Sequence, residues 1–145
     1  MISKLLKKNE KGFTLMEMLI VVAIIAVLVA IAIPTFTSSL NKAKLAADEA
    51  NVRAGYASVM VRILQDDVDN AATPSIAKNT AYYLLKDGTV DTGSTKVTGT
   101  TAYACQYSGK QSAAGQEYDT TTNKYVTYTY DGTKVTIGTA ALPTT

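Results

Sequence analysis

Glu17 is the residue with the clearest chemical demand: a carboxylate set among apolar side chains, four positions after Phe13. An ionised carboxylate near the start of a membrane-length apolar segment costs on the order of 2 to 3 kcal/mol by insertion scales, so its presence implies a partner. In a dry environment a cationic partner is worth far more than on a surface. Elsewhere reactive side chains are sparse. The chain of 145 residues has no His and one Cys, Cys105. His-based acid–base catalysis, zinc sites built on His or paired Cys, and an intramolecular disulfide therefore cannot be assembled from it. Ser and Thr are plentiful but no His activates them, and Gly88, Gly93 and Gly99 are scattered without a Gly-Lys-Ser/Thr phosphate cradle. The sequence reads as a non-enzyme with no cofactor and no bound metal. Asp66, Asp67 and Asp69 lack the spacing of a calcium loop and read as a helix exit. Cys105 reads as a small buried hydrophobe rather than an intersubunit bridge.

The element that must position Glu17 is an apolar helix. Met18 to Ile33 are sixteen consecutive apolar residues, and with Phe13, Leu15 and Met16 the stretch covers twenty-one positions interrupted by Thr14 and Glu17. At about 1.5 Å per residue it is roughly 31 Å long, enough to cross a bilayer. Lys4, Lys7, Lys8 and Lys11 precede it against Glu10, so residues 1–12 carry +3 and the remainder −1 of the total +2. The positive-inside rule then leaves residues 1–12 cytoplasmic and everything after Pro34 outside. Because the charge surplus is confined to the first dozen residues, the body has no basic footprint for nucleic acid; the nine tyrosines leave DNA binding open.

Two readings of this segment need only its hydropathy: a plain single-span anchor, and a secretory signal released after Ala32 that frees a ligand-binding domain. Neither uses Glu17. The run Lys11-Gly12-Phe13-Thr14-Leu15-Met16-Glu17, the unbroken apolar stretch and Pro34 together resemble the N-terminus of type IV prepilins and type II secretion pseudopilins. The resemblance covers about residues 1–65. It implies that a membrane prepilin peptidase cuts between Gly12 and Phe13, that the new Phe13 amine is N-methylated, and that the helix remains on the mature protein. It further implies that Glu17 neutralises the Phe13 ammonium of a neighbouring subunit, fixing axial register in a helical homopolymer. The expected partners are the lipid bilayer before assembly, then other copies of the chain, with membrane-embedded pilus assembly machinery and its ATPase motor supplied by other proteins. The expected location is the cytoplasmic membrane as precursor and the cell surface as pilus. A pseudopilin of a type II secretion or competence apparatus is the alternative. Pro34 lacks an N–H, and its ring meets the carbonyl of Ala30, so a kink or local melting is expected there; the resemblance implies the same.

Beyond the span, Phe36, Leu40, Ala43, Ala47, Ala50, Ala54, Ala57, Val61 and Leu64 advance by steps of four and three, the mark of one helix face. That stripe is expected to pack on a sheet as the spine of a head, with Lys42, Lys44, Asp48 and Arg53 on the flanks and opposite side. Residues 77–86 read as a short helix or strand before an Asp87-Gly88 turn, and 70–75 as loop. Thr, Tyr, Val and Gly then dominate, predicting strands over 96–101, 102–107, 124–130 and 133–138. Asp131-Gly132 marks the clearest hairpin, with Val126, Tyr128 and Tyr130 opposed by Val135 and Ile137. The fold class expected is α+β, the pilin fold: a long N-terminal helix with its hydrophobic half protruding, on a small antiparallel sheet. Its parts are a leader over 1–12, a membrane and filament-core helix over 13–34, an amphipathic helix of the head over 35–65, and an αβ-loop and sheet over 66–145.

Overall fold

The computed structural model describes residues 12–69, 76–92 and 97–143. One helix, α1 (Leu15–Asp69), precedes β1 (Ala81–Leu84), β2 (Val90–Asp91), β3 (Lys110–Ala113), β4 (Gln116–Asp119), β5 (Tyr125–Tyr130) and β6 (Val135–Ala140). The α+β class read from the sequence is the observed one. The chain divides into two compact units, residues 1–40 and 41–145.

In the first unit, every described side chain is exposed. Phe13 is 80% exposed, Leu15 83% and Ile31 66%. The helix forms because its backbone hydrogen bonds are satisfied internally, not because anything covers its side chains.

In the second unit, α1 lays one face on a four-stranded antiparallel sheet of order β2-β1-β5-β6. Val52, Val59 and Ile63 from the helix meet Tyr82, Leu84, Val126, Tyr128, Val135 and Ile137 from the strands. This is not the face the spacing pointed to. All nine residues of the expected stripe are exposed. Two residues along a helix turn it by about 200°, so Ala50 and Ala54 lie opposite Val52. The reason is area: alanine seats bury one methyl each, whereas Val52, Val59 and Ile63 each bury a branched side chain. Asp48, expected on the solvated side, is fully buried.

β1 is buried on both faces. Tyr82 and Leu84 point to α1, while Tyr83 and Leu85 join a second cluster with Val97, Ala102, Tyr125, Ala140 and Leu142. That removes the polar alternation from residues 81–85 and explains why helix and strand could not be told apart there. The turn after β1 forms as expected: Gly88 sits at φ 82, and Asp87 Oδ1 accepts from Thr89 N at 2.9 Å.

Tyr128 and Tyr130 share a face with Val135 and Ile137 as expected, but the pairs are Tyr128↔Ile137 and Tyr130↔Val135 across a loop of four residues, 131–134, rather than the expected two-residue Asp131-Gly132 turn. Asp131 Oδ1 accepts from Thr133 N at 2.8 Å and Lys134 N at 2.9 Å, closing the longer turn. A shift of two residues keeps every side chain on its face, so the opposition survives the change of register. The expected strands over 96–101 and 102–107 do not form among the described residues; 98–101 is a turn, and only isolated bridges Leu85↔Ala102 and Ala104↔Tyr125 occur. Lys96 lies outside the described residues, as do 70–75. Thr98 explains the turn: its backbone carbonyl receives both Thr101 N and Ala102 N, and its own N–H donates to the Thr101 hydroxyl. The hairpin β3–β4 was not foreseen; it turns at Ala114-Gly115, both at positive φ. Its Gln116 side chain clasps the outer edge of β6, donating to Val135 O at 2.7 Å and accepting from Ile137 N at 2.9 Å, which blocks that edge against pairing with another chain.

Candidate functional site

At the N-terminus of α1, Thr14 and Glu17 form a reciprocal cap. Thr14 N and Thr14 Oγ1 donate to Glu17 Oε2 at 2.8 and 2.9 Å, and Glu17 N donates to Thr14 Oγ1 at 3.2 Å. The sequence signal was present as Thr14-x-x-Glu17, the spacing of a capping box. It satisfies N–H groups that the first turn would otherwise leave bare, and the carboxylate faces the positive end of the helix dipole. Both contacts fall on Oε2. Oε1 accepts no hydrogen bond among the described residues, so the carboxylate is oriented and still has an oxygen to offer.

Gly12 is the first described residue, and nothing lies within 4 Å of where a side chain would begin. The chain's own structure therefore does not require glycine there. Phe13 follows, exposed, immediately before the capping residue.

Pro34 lies inside α1, which runs as helix through it without the local melting expected there. Around it, three hydroxyls bond back to the carbonyl four residues earlier: Thr35 to Ile31 at 3.2 Å, Thr37 to Ile33 at 2.9 Å and Ser39 to Thr35 at 3.1 Å. Such bonds weaken the regular ladder and favour bending.

Residues 7–33 match the prokaryotic N-terminal methylation motif. The N-terminus carries a prokaryotic N-terminal methylation motif. Among curated proteins, the chain is 37% identical over 98 residues to a fimbrial protein of Dichelobacter nodosus, covering 62% of this chain and 61% of that protein. It is 49% identical over 57 residues to the type IV narrow pilus major component PilA5 of Thermus thermophilus, covering 37% and 49%. It is 30% identical over 93 residues to prepilin peptidase-dependent protein A of Clostridium perfringens, covering 63% and 66%. The chain thus spans between about half and two thirds of the length of these relatives. No solved structure matches it. The methylation motif ends where the consecutive apolar run ends, at Ile33, so the later part of the motif, from Leu15 on, lies on the bilayer-length helix.

Two further residues position the head, and sequence reading missed both. Asp48 takes Tyr103 OH at 2.7 Å and Gln106 N at 3.0 Å on Oδ1, and Tyr107 N at 2.7 Å on Oδ2. It ties the 103–107 loop to the helix where no disulfide does so. Gly55 lets the sheet approach: a Cβ there would collide with the Tyr128 hydroxyl and come within 2.6 Å of Leu84 Cδ1. Tyr128 uses that space to donate to Val52 O at 2.7 Å. A helical glycine opposite the expected face, and an aspartate among flanking charges, gave no pattern to follow.

Cys105 is buried among the core residues. Burial, then the Asp48 carboxylate, pushes its thiol up to about 12, which keeps it protonated and unreactive at neutral pH. The same two influences push the Tyr103 hydroxyl up to about 12, burial first and the hydrogen bond to Asp48 second.

Proposed function

We propose that this chain is a structural subunit of an extracellular type IV pilus. The carrying observation is that the methylation motif coincides with a helical segment whose apolar side chains are all exposed in the single chain. Such a surface demands lipid or copies of itself.

The precursor resides in the cytoplasmic membrane with residues 1–12 inside. Prepilin peptidase cuts between Gly12 and Phe13; the bare backbone at Gly12 suits a protease that must draw the chain into its cleft. Cleavage removes the leader lysines and creates an ammonium at Phe13, which is then methylated. In the filament that cation meets Glu17 of a neighbouring subunit. Thr14 presents the carboxylate, holding Oε2 and leaving Oε1 for the incoming charge. Pro34 and its back-bonding hydroxyls let α1 bend as subunits pack. The alanine stripe from Ala43 to Ala57 continues the helical contact surface beyond the apolar run, its small side chains permitting close approach of a second helix. The motor and the membrane platform are other proteins, and the fibre serves adhesion, surface motility or DNA uptake. A secretion or competence filament would use the same parts.

Mass spectrometry of the mature protein tests the processing step. An N-methylated Phe13 terminus is expected, and Gly12→Leu should leave uncleaved precursor in the membrane. A mature chain beginning at Ile33 would instead show a secretory signal. Electron microscopy of cells with antibody against residues 110–140 separates long surface fibres from a short secretion filament.

A further inference from the structure

A cleft of about 580 Å³ opens on the second unit, walled by α1, the β1–β2 hairpin and the 98–101 turn. Its floor is apolar, made by the buried side chains of Leu85 and Val90. Its rim is charged and hydroxylated, and its polar heads are already held. Arg62 Nη1 donates to Val90 O at 2.9 Å and Lys86 Nζ to Thr100 O at 2.6 Å. Asp87 Oδ1 accepts from both the amide and the hydroxyl of Thr89, and the Thr98 hydroxyl lies 2.8 Å from that of Thr100.

We infer that this cleft binds a neutral, polyhydroxylated ligand, a carbohydrate. Its size falls within the range of roughly 300–1,000 Å³ typical of small-molecule sites. Its lining pairs two cations, Arg62 and Lys86, with two carboxylates, Asp87 and Asp91, so no net charge attracts an anion or a cation. What remains is an alternation of donors and acceptors at short spacing over an apolar floor. Vicinal hydroxyls match it because each can donate to a carboxylate or threonine and accept from a guanidinium or ammonium. Among the described residues, Arg62 Nη1 is anchored on Val90 O and Lys86 Nζ on Thr100 O. Because these contacts fix the side chains in advance, little rotamer freedom is lost when a ligand arrives. Nothing in the pilus reading requires such a cleft, and the cleft stands if that reading fails.

The test uses the full chain in a sugar-free zwitterionic detergent, with ¹H–¹⁵N spectra recorded during titration by a panel of neutral mono- and disaccharides and, separately, by inorganic phosphate and sulfate. A member of the neutral panel is expected to bind in the millimolar range or tighter, with shifts centred on Lys86, Thr98 and Thr100. Lys86→Ala and Thr98→Val are expected to weaken it by about tenfold, the loss of one or two hydrogen bonds. Both residues are exposed, and the Thr98 hydroxyl also braces the 98–101 turn, so Lys86→Ala should keep the wild-type spectrum outside the cleft and Thr98→Val should change it within residues 98–101; Thr98→Ser, which keeps the hydroxyl, should restore both the turn and most of the affinity. Absence of binding across the neutral panel overturns the inference. So do binding that both variants leave unchanged and binding of phosphate or sulfate in place of sugar.

Discussion

One helix, α1, is used in two opposite ways. Over residues 18–33 it presents apolar side chains on all sides and none is covered. Over residues 41–65 it buries a narrow face of Asp48, Val52, Gly55, Val59 and Ile63 and leaves an alanine-rich face bare. The first half contributes nothing to the stability of a single chain through side-chain burial. The second half is held by close approach and by a buried carboxylate, both of which stabilise the head and do nothing for a partner. On the proposed pilus reading, stability and assembly are therefore separable by position along the helix and, beyond residue 40, by the face on which a substitution falls.

The largest effect should come from breaking the assembly half alone. Glu17→Leu should leave the melting temperature of the head unchanged and the precursor inserted, while filaments counted by electron microscopy fall to near zero. A buried charge pair worth about 3 kcal/mol at each contact shifts the subunit–fibre equilibrium by roughly a hundredfold. Abundant filaments from the variant would remove Glu17 from the interface. Thr14→Val should give a smaller assembly loss, since it removes the cap hydroxyl that orients Oε2.

The stability half breaks in the opposite sense. Asp48→Ala strips three donors of their acceptor, the Tyr103 hydroxyl and the amides of Gln106 and Tyr107, and should cost about 4 kcal/mol in urea unfolding of the head. Gly55→Ala should cost about 3 kcal/mol, because the Tyr128 ring and Leu84 must shift and Tyr128 loses its bond to Val52 O. Ala54→Leu, one residue away on the bare face, should leave unfolding unchanged within about 0.5 kcal/mol and instead reduce filament yield. If Ala54→Leu unfolds the head and Gly55→Ala does not, the assignment of faces is reversed.

That contrast also marks what could be read without coordinates. The roles of Gly12, Phe13 and Glu17 belong to the proposed function; the apolar run was legible from composition, and the α+β class from periodicity together with the resemblance. The buried face of α1 was not: nine apolar seats at perfect spacing outnumbered five mixed ones, and only the sheet's demand for branched area and a glycine notch reverses the choice. The β3–β4 hairpin was hidden because Lys110, Ser112 and Glu117 face outward in strands of four residues, and its turn begins with alanine. Thr14 was legible, as the first member of a capping box, but hydropathy drew attention past it to Glu17.

Alkaline pH should loosen the head without touching the capped N-terminus. Burial raises the thiol of Cys105 from 9.0 and the hydroxyl of Tyr103 from 10.0, each to about 12, and raises Tyr118 and Tyr128 further. These groups are neutral when protonated, so below pH 9 folded and unfolded chains carry the same protons on them. Between about pH 9 and 12 the unfolded chain releases protons that the folded one keeps, and stability falls as pH rises. Urea midpoints followed by circular dichroism from pH 7 to 11 should decline steadily above pH 9. Tyr103→Phe removes one titrating group and should flatten the decline. A midpoint constant to pH 11 would mean that these side chains are not buried as described.

The smallest effect lies at Ala114, which with Gly115 turns β3 into β4 at φ 51 and 75. An alanine pays for a left-handed backbone with a Cβ–carbonyl clash of roughly 1 kcal/mol that glycine avoids and that asparagine offsets by local side-chain hydrogen bonding. The hairpin is held by the Gln116 clasp on β6 and by Thr139 Oγ1 donating to Asp119 O at 2.9 Å, which together hold the strained turn in place. Ala114→Asn keeps a side chain while accepting the same dihedral angles, and should raise stability by about 0.5 to 1 kcal/mol. Ala114→Gly should gain less, because added freedom in the unfolded chain offsets part of the relief. Since the turn lies in the second unit, away from both exposed helix surfaces in sequence, filament yield should not move with either variant; a change in yield without a change in unfolding would place this hairpin in the intersubunit contact.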